Sequence, residues 1–181
     1  MPVLRAFRDE AAGRGLLSPD APLDAEAAFA LVREMPWTAS TGALPEMTLG
    51  AWRGDDAGKH YLLRAVLYEL GYRSILLACT HAWSVECAPW APAELRSMLD
   101  EDPVPDVHTF LRVEHDRDWG SVDATWPLGS RALGLPANER FLPGREMRIA
   151  CDPEEIYHVP EDADPEEFRR RLLDAHSDQR G

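Results

Sequence analysis

The chain has 181 residues, 45% of them hydrophobic and 28% charged, which is the size and balance of one soluble globular domain. Lys and Arg number 19 against 32 Asp and Glu, and the resulting charge of −13 repels phosphate backbones and anionic lipid. Nucleic-acid and membrane-surface binding are therefore not expected. No apolar run reaches the roughly 18–20 residues of a membrane helix, and Met1–Gly15 lacks the apolar core of a secretory signal. Cys79, Cys87 and Cys151 form no CxxC pair, which argues against a disulfide framework or a thiolate zinc site and for a cytoplasmic location.

Pro2–Ala12 predicts a short helix with Val3, Leu4 and Phe7 on one face, ended by Gly13 and Gly15. Asp24 is an N-cap for a second helix, whose Ala28, Phe29, Leu31, Val32 and Met35 keep helical spacing until Pro36 stops it. Trp37–Arg53 reads as loop with at most a short helical turn. The clearest element starts near Asp55 or Asp56 and runs to Leu70, with Gly71 as its left-handed cap. Leu62, Leu63, Val66, Leu67 and Leu70 give it a wide apolar face, so it is expected to be central.

Tyr72–Thr80, with the run Ile75–Cys79, predicts a buried strand. Pro92 opens a short helix to about Leu99. Val107–Glu114 alternates, with His108 and Phe110 on one face. Asp116-Arg117-Asp118 is a polar turn and Trp119–Trp126 returns, a hairpin signal. Met147–Ala150 is a candidate for one more strand. Asp164, Pro165, Glu166 and Glu167 mark the start of a last helix reaching about Ala175. The acidic stretch Asp152–Glu167 reads as a solvated face. The class is α+β. The organisation is N-terminal helices over 1–36, a core over 37–150, and an acidic segment with a helix over 151–181, all in one globular unit.

Three segments carry the chemistry-bearing residues: Arg53-Gly54-Asp55-Asp56-Ala57-Gly58-Lys59-His60, Asp106-Val107-His108-Thr109-Phe110, and Trp119-Gly120-Ser121-Val122-Asp123-Ala124-Thr125-Trp126. Their layout resembles the transglutaminase-like superfamily of the papain-type cysteine fold, over about Met35–Ala150. In that family a Gly-x-Cys segment opens the central helix and a later strand carries the catalytic His. The next strand carries Asp in a W-x-x-[VL]-D-[AP]-T context. The resemblance implies a transglutaminase-like (papain-like) fold, with the central helix packed on a small antiparallel sheet. It implies His108 and Asp123 as the family histidine and aspartate. It puts Asp56 in the nucleophile slot, or Asp55 if the register slips by one. No thiol stands there, so the usual cysteine-dependent acyl transfer is not expected.

In such a site the helix dipole stabilises a thiolate, a histidine moves the proton and a carboxylate fixes the imidazole. With Asp56 in the slot, three readings stay open. It is a helix N-cap, worth about 1 kcal/mol. Or it forms an acid/base pair with His108, or acts as a carboxylate nucleophile. Or Asp55, Asp56, His60, His108 and Asp123 hold a metal, as in a metal-dependent hydrolase.

Trp52, Asp55, Lys59 and His60 are candidate substrate contacts. Their plainer readings are core packing for Trp52, a solvated or locally paired side chain for Lys59 and a packed or hydrogen-bonded ring for His60. Trp37, Trp83, Trp90, Trp119 and Trp126 are expected in the core or pocket wall. His81, His115, His158 and His176 are expected at the surface or in local contacts. The leading expectation is a pocket for a small acyl or amide compound or a peptide, with altered acid/base chemistry. The alternative is a non-catalytic binding or scaffold module. No cofactor is expected, and a protein partner stays open.

Overall fold

Local signals set most of the helices. In a computed structural model, which describes residues 2–18, 20–39, 42–88 and 91–180, α1 (Val3–Gly13) buries Phe7 and Ala11. The Glu69 carboxylate caps its open N-terminus, accepting from the Val3 and Leu4 N–H groups at 2.7 and 3.2 Å. In α2 (Ala25–Glu34) the Asp24 carboxylate accepts from the Ala27 N–H, the expected N-cap. α3 (Pro45–Ala51) is longer than the single turn expected, and Trp52 ends it in the left-handed conformation.

α4 (Asp56–Glu69) turns Leu62, Leu63, Val66 and Leu67 into the core. Gly71 follows with a φ of +87°, as its type predicts. Gly58, in the first turn, allows close packing of α3 on α4. A Cβ there would meet the Thr48 hydroxyl at 2.5 Å.

The sheet is antiparallel throughout, in the order β3 (Asp118–Val122), β2 (Val104–His115), β1 (Ser74–Trp83) and β4 (Glu155–His158). β1 precedes α5 (Ala93–Glu101), and β2 and β3 form the expected hairpin. Asp116 and Arg117, both at positive φ, make its turn. β1 and β2 pair through Trp83 and Val104, beyond the ends that apolar patterning suggests. Cross-strand backbone bonding carries polar Thr80 and His81 into the sheet.

A 3₁₀ helix spans Leu128–Leu133. Met147–Ala150 is not a strand. The Met147 N–H reaches the Ser121 carbonyl, but the Ala150 N–H goes to the Asp123 side chain, so no ladder forms. The fourth strand is β4 (Glu155–His158), inside the acidic stretch that reads as a solvated face. It adds to the free edge of β1 opposite Leu77–Thr80. α6 (Pro165–Arg180) starts behind Asp164, whose carboxylate accepts from the Glu167 N–H.

One apolar cluster joins Phe7, Phe29, Leu62, Leu67, Leu111 and Val122, and Phe168 and Leu172 of α6 pack on it. α4 therefore lies between α1–α3 and the sheet, with its N-terminus over β2, while α6 packs directly on β2 and β1.

Candidate functional site

Three buried ionisable side chains, Asp56, His108 and Asp123, meet where α4 begins, beside half-buried Asp55. Asp55 is the N-cap of α4, its Oδ1 accepting from the Gly58 N–H at 2.8 Å. Asp56, the first helical residue, does not cap. Its Oδ2 accepts from the Thr109 N–H of β2 at 2.6 Å and lies 3.4 Å from His108 Nδ1. The other ring nitrogen, His108 Nε2, is 2.8 Å from Asp123 Oδ2. Asp123, just past β3, also accepts from the Thr125 and Ala150 N–H groups. His108 thus stands between two carboxylates.

Burial disfavours every charge in this group. It prevails at Asp55, whose carboxyl is raised by burial and by the Asp56 charge, while at Asp56, His108 and Asp123 the partners outweigh it. Burial pulls the His108 imidazole down, while the charges and hydrogen bonds of Asp123 and Asp56 hold it well above 6.5. Burial pushes the Asp56 carboxyl up, and the hydrogen bond and charge of His108, with Arg169 and the Thr109 N–H, bring it well below 3.8. Asp123 is likewise held below its ordinary value against burial, chiefly by His108. The resting state is a carboxylate–imidazolium–carboxylate triad.

His60 behaves differently. Its Nε2 accepts from the Ala124 N–H at 2.9 Å, which fixes the Nδ1–H tautomer donating to the Asp56 carbonyl at 2.8 Å. Burial lowers its pKa, so it is neutral and structural. Lys59 is wholly buried, with Nζ donating to the Arg33, Met35 and Thr125 carbonyls. Burial pushes its ammonium down to about 7, opposed by the charges of Asp123 and Glu34.

A cleft of about 240 Å³ opens over Asp56 and His108. Its walls include Trp37, Trp83 and Trp126. A parallel bridge between Trp37 and Gly54 brings the first indole there, where it packs against Trp126 at 5.7 Å. The Thr125 hydroxyl and the Trp126 indole N–H, on cleft-lining residues, have no hydrogen-bond partner among the described residues. A larger groove of about 930 Å³ beside Tyr61 and Tyr68 has no buried residue in its lining. The chemistry-bearing groups lie at the smaller cleft, which is the candidate site.

Several expected contacts are corrected. Trp52 does not line the cleft but stacks on Phe7 in the core, with ring centroids 5.5 Å apart. Lys59 and His60 point into the protein and do not line the cleft, while Asp55 does, as the helix cap. Trp119 belongs to the larger groove, and Trp90 lies outside the described residues. His81 and His176 are buried, not superficial, and His176 Nε2–H donates to the His81 carbonyl at 3.1 Å.

Other site residues escape the sequence reading. Arg169 of α6 reaches Asp106 Oδ1 at 2.7 Å and Asp56 Oδ2 at 3.3 Å. Asp106 also accepts from the Trp83 indole at 3.1 Å and lies 3.8 Å from His81. Strand alternation is the one signal available for these residues, since Asp106 shares the face of His108, and His81 that of Cys79. Nothing local marks Arg169.

No protein-family model matches this chain, and no curated protein is significantly similar to it. Fold and site define an α+β protein with a buried charged triad under a small aromatic-walled cleft.

Proposed function

We propose that the chain is a transglutaminase-like protein without the nucleophilic cysteine, whose cleft takes a small acyl or amide compound or a peptide. The observation that carries this reading is His108, its two ring nitrogens 3.4 and 2.8 Å from the Asp56 and Asp123 carboxylates beneath an open cleft. The indoles of Trp37, Trp83 and Trp126 in the cleft wall support it, because they offer flat apolar surface to such a ligand. Charged at rest, His108 serves as a proton donor or an electrostatic anchor and not as a base. Asp56, strongly ionised and engaged by Thr109, His108 and Arg169, holds the imidazolium and is a poor nucleophile.

That same engagement of Asp56 favours a second reading, a non-catalytic binding or scaffold module in which the triad and Arg169 tie α4, the hairpin and α6 together. The metal-dependent hydrolase has least support. Both His60 nitrogens are engaged, and among the described residues no three His, Cys, Asp or Glu side chains converge as a ligand set.

The test is Asp56→Cys treated with a thiol-reactive probe, with labelling mapped to residue 56. Fast labelling that His108→Ala abolishes, with small amides raising the melting temperature of the wild type, supports an acyl-binding site. Slow labelling independent of His108, with no amide or peptide stabilising the protein, rejects it for the module.

A further inference from the structure

Two thiols that the proposed function does not use meet beside the triad. Cys79 and Cys151 are 72 residues apart in the chain, yet their sulfurs lie 3.5 Å from each other. Cys79 is in β1, directly opposite His108 in the β1–β2 register, and is wholly buried. Cys151 is half-buried and lines the cleft. It directly follows Ala150, whose N–H donates to Asp123 at 2.8 Å.

A disulfide needs a sulfur separation of about 2.05 Å, so the pair must close by roughly 1.5 Å. Residues 147–152 form no strand or helix, so a ladder need not break for Cys151 to move. One thiol faces the cleft while the other is shielded behind it. That asymmetry admits an oxidant to Cys151 alone and keeps Cys79 for the second step.

We propose that Cys79 and Cys151 form a dithiol site that low-molecular-weight disulfides oxidise to an intramolecular disulfide, independently of the function proposed above. In the first step the Cys151 sulfur, losing its proton, attacks one sulfur of the small disulfide. The S–S bond breaks, and the leaving sulfur takes up the electron pair and a proton as a free thiol. In the second step the Cys79 sulfur attacks the Cys151 sulfur of the mixed disulfide and expels the second small thiol. Two protein thiols are oxidised and one small disulfide is reduced to two thiols. In the reduced pair Cys151 donates to Cys79, which lowers the Cys79 thiol and raises that of Cys151, so the first step is slow. Once Cys151 is in the mixed disulfide that bond is gone, and the charge of His108 still favours the Cys79 thiolate. The new bond draws residue 151 toward β1.

Cys87 lines a neighbouring pocket with Cys151, so the test starts from the full chain carrying Cys87→Ser. This protein is incubated with oxidised glutathione, denatured, alkylated, and followed by intact mass and peptide mapping. The expected product has lost two hydrogens and both alkylation sites together, carries no glutathione, and reverts with dithiothreitol. Adding Cys79→Ser should trap one glutathione on Cys151, and adding Cys151→Ser should leave Cys79 unmodified in the folded protein. If the added Cys79→Ser or Cys151→Ser change prevents folding, mapping of the Cys87→Ser protein and the wild type still decides. A stable glutathione adduct on Cys151 with Cys79 still alkylatable overturns the proposal. So do two unmodified thiols, or a Cys87–Cys151 bond in the wild type.

Discussion

Arg169 Nη1, on the last helix, lies 3.3 Å from Asp56 Oδ2, at the start of the fourth helix and 113 residues earlier in the chain. The same guanidinium holds Asp106 through Nη2 at 2.7 Å. The C-terminal helix therefore supplies one wall of the site and one of the charges that keep Asp56 ionised.

Arg169→Ala should widen the cleft and leave Asp56 with His108 and the Thr109 N–H as partners. Arg169 is about a third exposed, so the loss is screened, and we expect about 1–2 kcal/mol of destabilisation in urea unfolding. The Asp56 carboxyl should titrate higher than in the wild type, which carbon-detected NMR of the side chain reads directly.

His108 should carry protons on both ring nitrogens at pH 7.5, while His60 stays neutral with its proton on Nδ1. Nitrogen chemical shifts of the imidazole rings distinguish the two. Asp123→Asn should lower the His108 pKa and cost about 3 kcal/mol of stability, because a buried charge loses its closest partner.

The triad also fixes a pH dependence. The His108 pKa is raised on folding, so its contribution is complete below 6.5 and is lost as pH rises through the folded value. Asp56 and Asp123 are lowered, so their contributions are complete above 3.8 and are lost as pH falls toward the folded values. Lys59 runs the other way. Its pKa drops from 10.5 to about 7 on folding, so stability relative to Lys59→Met should rise between those values. Urea unfolding of both proteins from pH 5 to 10 checks the sign.

Gly120→Ala should be costly although Gly120 lies in an ordinary strand. A Cβ there would sit 2.0–2.3 Å from the Arg145 backbone. The segment after Arg145 must then move, and with it the Ala150 N–H bonded to Asp123. We expect a loss of about 2–3 kcal/mol and a fall in the His108 pKa, read by unfolding and by ring NMR of the same sample.

The legible parts of the fold are those whose causes are local. The leucine spacing of α4, the caps at Asp24 and Asp164, Gly71 and the alternation around the Asp116-Arg117 turn each act over a few residues. β4 is not legible because an edge strand held by backbone bonds needs no apolar alternation, and its acidic setting reads as solvated. The buried place of Lys59, against the expected solvated or locally paired side chain or substrate contact, is not legible because its three acceptors are distant carbonyls at Arg33, Met35 and Thr125. Which indole faces the cleft was equally hidden. The left-handed Trp52 turns to Phe7, while the bridge at Gly54 delivers Trp37.

The sequence by itself determined the α+β class, the central helix, the hairpin and a carboxylate, not a thiol, at the head of that helix. Tertiary structure alone decided which of two adjacent aspartates caps and which faces His108. It also brought Arg169, Asp106 and the Cys79–Cys151 pair to one place. Caps and periodicities arise from neighbours along the chain. Buried charge is stable only where distant segments deliver its partners, and those distances are set by packing.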